Sequence, residues 1–283
     1  MTDFPAIGYG PGDEQMDRQE QKRRILLVVA YDGTNYHGWQ LQPESITIEG
    51  ILNETLSSLF QEEIQVIGAS RTDAGVHAYG NVAVFDTTAR IPAEKIPYAL
   101  NRKLPEDIRI QRAVQVAEDF HPRRCESRKT YEYRILNTKF QIPQKRLYSH
   151  WTYYDLDVER MQQAAEYLIG EHDFKSFCSV NTQAESTVRT IYELNVYRKE
   201  GSPEEIVIRV TGNGFLYNMV RIIAGTLIEV GRGRLEPEDV MRMLEAKDRQ
   251  SGGPTAPARG LTLVEYHFME LEDKKLEKPA EIG

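Results

Sequence analysis

Three positions in this 283-residue chain place a reactive side chain where it could do chemistry. The first is Asp73 in SRTDAGVHA (70–78), with Arg71 two residues before it and Gly75 two residues after. A loop held between strands is a common seat for a catalytic group, since the sheet fixes its ends. A carboxylate there can serve as nucleophile, general base or counter-ion. The same residues also make an ordinary β-turn, in which Asp73 bonds nearby backbone and Gly75 supplies a permissive conformation.

The second is Arg221, inside GFLYNMVRIIAGTLIEV, a segment apolar on nearly every side and therefore expected to be a buried helix. A guanidinium there keeps its proton and needs an acceptor. It either snorkels to water along its aliphatic stem or meets a carboxylate at the edge of a cleft. The third is Tyr131, in the strand-like stretch TYEYRI, with Arg128 and Lys129 just before it. Strand alternation puts Tyr131 and Tyr133 on one face, and aromatics beside positive charge suit the stacking of nucleic-acid bases. Packing in a sheet accounts for the tyrosines equally well.

These residues need elements to hold them. RILLVVAY (24–31) reads as a buried strand closed by a DG turn. From Thr47, placed to cap, Ile48, Ile51, Leu52, Leu56, Leu59 and Phe60 recur at the spacing of one helical face. Strands over 64–69 and 80–86 then flank the Asp73 loop, and a helical stretch around 93–103 leads to a strand near 107–116. The second half repeats this order loosely. A strand over 129–136 precedes a helix from about Val158 to Ile169, strands near 188–198 and 205–211, and the apolar helix starting near Phe215. A helix near 237–246 and a strand around 262–268 close the pattern. Strands and helices in this order predict an α+β fold.

Composition narrows the function classes. Two cysteines, Cys125 and Cys178, neither build a disulfide framework nor sit in zinc-site spacing, so a reducing cytoplasm is the expected compartment. No run approaches the roughly 20 apolar residues that span a bilayer, and no membrane association is expected. The net charge of −8 argues against a nucleic-acid partner at first sight. Its distribution answers that: residues 269–283 hold five acids against three bases, whereas FHPRRCESRKTYEYR (120–134) holds five bases against two acids. An acidic protein can still offer a basic cleft. The chain has neither a phosphate-cradling GxxxxGK[ST] loop nor a dinucleotide fingerprint, and its six histidines are scattered, so no cofactor and no metal are expected.

Taken in order, YDGTNYHGWQ, SRTDAGVHA, FHPR, KTYEYRI, GEHDFKSF, VRTIYE, GNGFLYNMVRIIAGTL and APARGLTLVEYHF resemble the tRNA pseudouridine synthase A family over about 24–268. The resemblance implies isomerisation of uridine to pseudouridine at positions 38, 39 and 40 of the tRNA anticodon stem-loop, by a homodimer without a cofactor. It makes Asp73 the nucleophile, Tyr131 the residue stacked on the target uracil, Arg221 the basic partner of Asp73, and Arg71 the arginine associated with extruding the nucleotide. Arg128 and Lys129 are candidate RNA contacts. The sequence departs from the family at Ser70, where glycine is common, and at Pro122, where another small residue is usual.

The element order and the resemblance together imply two ferredoxin-like lobes of the RNA-recognition kind. They would share a mixed, mostly antiparallel sheet with helices packed on one face. The expected divisions are a loose tail over 1–23, a first lobe over 24–125 carrying the aspartate loop, a second lobe over 126–268, and a charged tail over 269–283. Asp73 should face Tyr131 and Arg221 across the cleft between the lobes, its ionised form favoured by the arginine. Two other readings compete. An RNA-binding module would have no need of Asp73, and a glycoside hydrolase would need a second acid that the motif segments lack.

Overall fold

The computed structural model describes residues 22–180 and 184–269. The expected tails lie almost wholly outside the described residues. The strands are β1 (Arg23–Tyr31), β2 (Ile67–Gly68), β3 (His77–Thr87), β4 (Ile108–Val116), β5 (Ser127–Asn137), β6 (His150–Thr152), β7 (Gly170–Asp173), β8 (Val188–Lys199), β9 (Ser202–Gly212) and β10 (Leu261–Phe268). The helices are α1 (Ile48–Phe60), α2 (Ile96–Leu100), α3 (Val158–Glu166), α4 (Met219–Gly231) and α5 (Asp239–Ala246). No helix among the described residues is long and apolar enough to cross a membrane.

All ten strands join one sheet, whose main path runs β4-β1-β3-β10-β5-β9-β8-β7, with β2 beside β3 and β6 beside β5. The pairings are antiparallel except β3 with β10 and β5 with β6. The order β4-β1-β3-β2 in the first half recurs as β10-β5-β9-β8 in the second. Each half is thus a four-strand unit of ferredoxin-like order with its first strand central. The last strand closes the second unit and also joins the first, through Thr262 opposite His77 and Leu263 opposite Ala78.

The helices all cover one face. Buried residues of α1 through α5, among them Ile48, Leu100, Met161, Leu227 and Val240, belong to a single core with Ile25, Leu27 and Val29 of β1. Alternation along β1 sends Leu26 to the opposite face, where it meets Val82, Val84 and Phe268 in a small separate cluster. Tyr131 and Tyr133 do share a face, on the helix side.

Thr47 caps α1 as expected, its Oγ1 accepting from the Gly50 amide at 3.2 Å. Elsewhere, local bonds trim the expected elements. Residues 64–66 do not extend the sheet, because the Ile64 amide donates to Ser57 Oγ and the Val66 amide to Asn53 Oδ1, both on α1. The stretch at 93–103 forms a tight turn and a helix of only five residues. Asn101 then exchanges two side-chain bonds with the backbone of Ile110. The helix expected to start near Phe215 starts at Met219, because Asn218 takes a left-handed conformation at φ 62°.

Candidate active site

The loop between β2 and β3 is shaped by the segment that follows β1. Trp39 N donates to Thr72 O at 3.0 Å and Gly75 N to Tyr36 O at 3.2 Å, while Val76 N closes a turn onto Asp73 O at 3.1 Å. Gly38 (φ 88°) approaches so closely that a Cβ there would stand 2.6 Å from Thr72 O. Beneath the loop, Asn81 is fully buried. Its side chain holds Ser70 O at 2.9 Å and Tyr31 OH at 3.3 Å, and that phenol reaches Thr72 Oγ1 at 2.7 Å. The ordinary turn that SRTDAGVHA can make is therefore present, with Gly75 at φ 76°. The Asp73 carboxylate, however, is directed elsewhere.

It meets Arg221. The Nη1 atom of Arg221 donates to Asp73 Oδ2 at 3.1 Å and to Asn218 Oδ1 at 2.7 Å, and its Nε donates to Ala256 O at 2.8 Å. Ala256 N returns a bond to Arg221 O at 3.0 Å, so the arginine is clamped at backbone and side chain alike. Arg221 thus lies in the first turn of α4, at the mouth of a cleft, rather than deep within an apolar helix. Cationic side chains are disfavoured at that end of a helix dipole, and Asp73 and two oxygen acceptors offset the cost. Gly225 lets 254–256 pack directly on α4, since a Cβ there would lie 1.9 Å from Pro254 O.

The cleft has a volume of about 910 Å³, and its walls include Asp73, Tyr131, Arg221, Arg71 and Lys129. Among the described residues its charged lining is Arg71, Arg123, Lys129, Arg189 and Arg221 against Asp73 and Glu126, so the cleft is basic inside an acidic chain. Tyr131 lines it with 8% exposure and meets Phe215 edge to face at 5.3 Å. Tyr133 does not line it: that ring is fully buried and its hydroxyl donates to Pro257 O at 2.9 Å. Arg71 is exposed and reaches Gln40 Oε1 at 3.4 Å. Arg128 is not part of the lining. Its guanidinium lies 4.6 Å from the ring of Tyr192, which is. Arg189, Asn218 and Phe215 were not singled out as site residues, although each lies in a motif that carried the family resemblance.

Burial and charge compete at Asp73. Its burial pushes the carboxyl pKa up, and the hydrogen bond and charge of Arg221 pull it down only in part, so it ends above the ordinary carboxylate value. The arginine favours the ionised form as expected, yet burial outweighs it. Burial also raises the Tyr131 phenol, as do Tyr31 and the Asp73 charge. Tyr131 is therefore a neutral phenol at physiological pH, suited to stacking and hydrogen bonding rather than to acting as a phenolate base. The Ser70 hydroxyl makes no hydrogen bond within ordinary limits among the described residues.

A pH dependence follows. If the ionised Asp73 is the working form, single-turnover rates should rise with pH, with the midpoint of the acid limb above about 4, where a free carboxylate titrates. A profile measured with saturating protein checks this, and an acid limb at or below that value would contradict it.

What this arrangement can do is limited by its groups. A carboxylate held by a guanidinium beside a flat aromatic, in a basic cleft, can attack an electrophilic carbon or take a proton from a planar base bound there. Comparison with known proteins points the same way. A sequence profile of the family described as tRNA pseudouridine synthase matches residues 27–123 and 164–269. The protein named tRNA pseudouridine synthase A from Thermoanaerobacter sp. (strain X514) is 48% identical over 246 residues, which is 87% of this chain and all of that protein. Those of the same name from Caldicellulosiruptor bescii and Brevibacillus brevis are 49% and 46% identical over the same extent. Both matched stretches run through the cleft walls, the first containing Asp73 and the second Arg221, and with likeness of that extent the chain belongs to the tRNA pseudouridine synthase family.

Proposed function

We propose that this protein isomerises uridine to pseudouridine at positions 38, 39 and 40 of the tRNA anticodon stem-loop, with Asp73 as the nucleophile. The observation that carries the reading is the mostly buried Asp73–Arg221 pair, set with Tyr131 in a basic cleft within a family of tRNA isomerases.

The reaction breaks the bond between N1 of uracil and C1′ of the sugar, turns the base and joins C5 to C1′; C5 then gives up its proton to solvent and N1 takes one up. The base must leave its stack to be reached. Asp73 could attack C1′, add to C6 or assist proton loss at C2′. Attack at the sugar is the route proposed here: the Asp73 carboxylate displaces N1 to form an ester at C1′, the liberated uracil turns against the Tyr131 ring, and C5 then displaces the carboxylate from C1′. The hydrogen bond and charge of Arg221 favour the ionised carboxylate against the opposing effect of burial. Arg71 and Lys129 in the cleft, and Arg128 at its margin, would contact the RNA chain, with Arg71 supporting the extruded nucleotide. The working unit proposed is a cytoplasmic homodimer of two-lobed subunits, divided near residue 125.

Tritium release from tRNA labelled at uracil C5 tests the reading directly. Purified protein should release tritium from transcripts with uridine at 38, 39 or 40, and none when all three are cytidine. Release that survives the triple replacement would overturn the assignment of position. Sedimentation should find a dimer, and a fully active monomer would contradict the homodimer.

A further inference from the structure

Of the cations that line the cleft, Arg221 has a carboxylate partner in Asp73. A second stretch of the wall offers cations without one. Lys129 of β5, Arg189 of β8 and Arg123 ahead of β5 all line the cleft, and none of the three has a carboxylate within ion-pair distance among the described residues. The Lys129 ammonium makes no hydrogen bond there either, and it lies 5.0 Å from the Tyr266 ring. Arg189 spends one Nη on the carbonyls of Ser186 and Val188, leaving its other donors uncommitted.

Three uncompensated cations on one wall repel one another, and an anion between them would relieve the repulsion. Lys129 and Tyr131 are two residues apart on the same strand, about 7 Å along it, which one nucleotide can span between its base and its phosphate. We propose that Lys129, Arg189 and Arg123 form a subsite for one phosphodiester of the RNA, beside the nucleotide held at Tyr131. The inference rests on the reading of the cleft as a tRNA site, and it adds a protonation switch.

Burial first, then the charges of Arg189 and Arg123, push the Lys129 ammonium down to about 8. The groups around it are those two guanidinia, the Tyr266 phenol from β10, and Cys125, Glu126 and Tyr192 in the same wall. A lowered lysine pKa means that the charge is present below that value and lost above it. A bound phosphate favours the ammonium, so binding takes up a proton at alkaline pH, and affinity falls as pH rises through about 8.

Filter binding of tRNA to the whole protein at about pH 7 and about pH 9, over a range of salt, tests the proposal. Wild type should lose about tenfold in affinity between the two, as one phosphate contact weakens. Lys129→Arg should hold its affinity, since a guanidinium does not titrate there. Lys129→Met should bind weakly at both, with a salt slope shallower by about 0.7–0.9. Removing an unpaired, half-buried charge should not unfold the protein, and Arg189→Gln, with the same slope change, is an independent second variant. A pH dependence shared by wild type and Lys129→Arg, or an unchanged salt slope in Lys129→Met and Arg189→Gln, would overturn the subsite. Pseudouridine formation by wild type in parallel separates the two claims. If wild type forms it while these binding results fail, only the subsite falls; if wild type forms none, the reading of the cleft falls.

Discussion

Asp73→Asn is expected to lower turnover by about 10⁴-fold or more while leaving the fold and the affinity for tRNA in place. The substitution keeps the size and shape of the side chain and removes the charge that attack or proton abstraction requires. Its amide oxygen can still accept from Arg221 Nη1, which now reaches Asp73 Oδ2 at 3.1 Å, so the clamp on Asn218 and Ala256 should survive. Binding should change by no more than about threefold, because affinity for RNA comes mainly from cationic contacts along the cleft. Tritium release and filter binding at one stated salt concentration, with a thermal melt, give all three quantities. A mutant that turns over like wild type would remove Asp73 from the mechanism. A mutant that binds and folds but does not turn over is the expected result.

Arg221→Met should produce the second largest effect, a loss of about 100-fold or more near pH 7, of a different kind. It leaves a mostly buried carboxylate without a counter-charge, an arrangement that costs about 3–5 kcal/mol when one partner of a buried pair is removed. Asp73 would escape that cost by holding its proton, so its pKa, already raised by burial, should climb further. The sign follows: the variant's acid limb moves to higher pH, and part of the lost rate returns as pH rises. Arg221→Lys keeps a charge but not the simultaneous bonds to Asp73, Asn218 and Ala256, and should fall between the two. The same rate profile for Arg221→Met and wild type would mean that Arg221 does not control the protonation of Asp73.

Much of the site was legible in the sequence because its chemistry sits in short segments. SRTDAGVHA displays its turn glycine and its carboxylate together, and an arginine in GFLYNMVRIIAGTLIEV must find an acceptor wherever the helix lies. The helix periodicity of α1 and the alternation of β5 were equally plain, since each depends on neighbours a few residues away. What escaped depends on distant partners. Tyr131 and Tyr133 look alike in TYEYRI, yet one lines the cleft and the other is sealed under Pro257, more than 120 residues away. Arg128 and Lys129 are adjacent, but the pleat sends only Lys129 into the cleft. The place of β10 between β3 and β5 is fixed by pairing across most of the chain, and β6 and β7 are too short to show a period. The net effect at Asp73 was also hidden, because residue types announce a favourable arginine and do not reveal how far the carboxyl itself is buried.

The most direct test of the account is to map pseudouridine in tRNA from cells lacking this gene, and from the same cells supplied with wild type or Asp73→Asn. Pseudouridine at positions 38, 39 and 40 should disappear with the gene, return with wild type and stay absent with Asp73→Asn. Modification that persists at those positions without the gene, or that returns with Asp73→Asn, would contradict it.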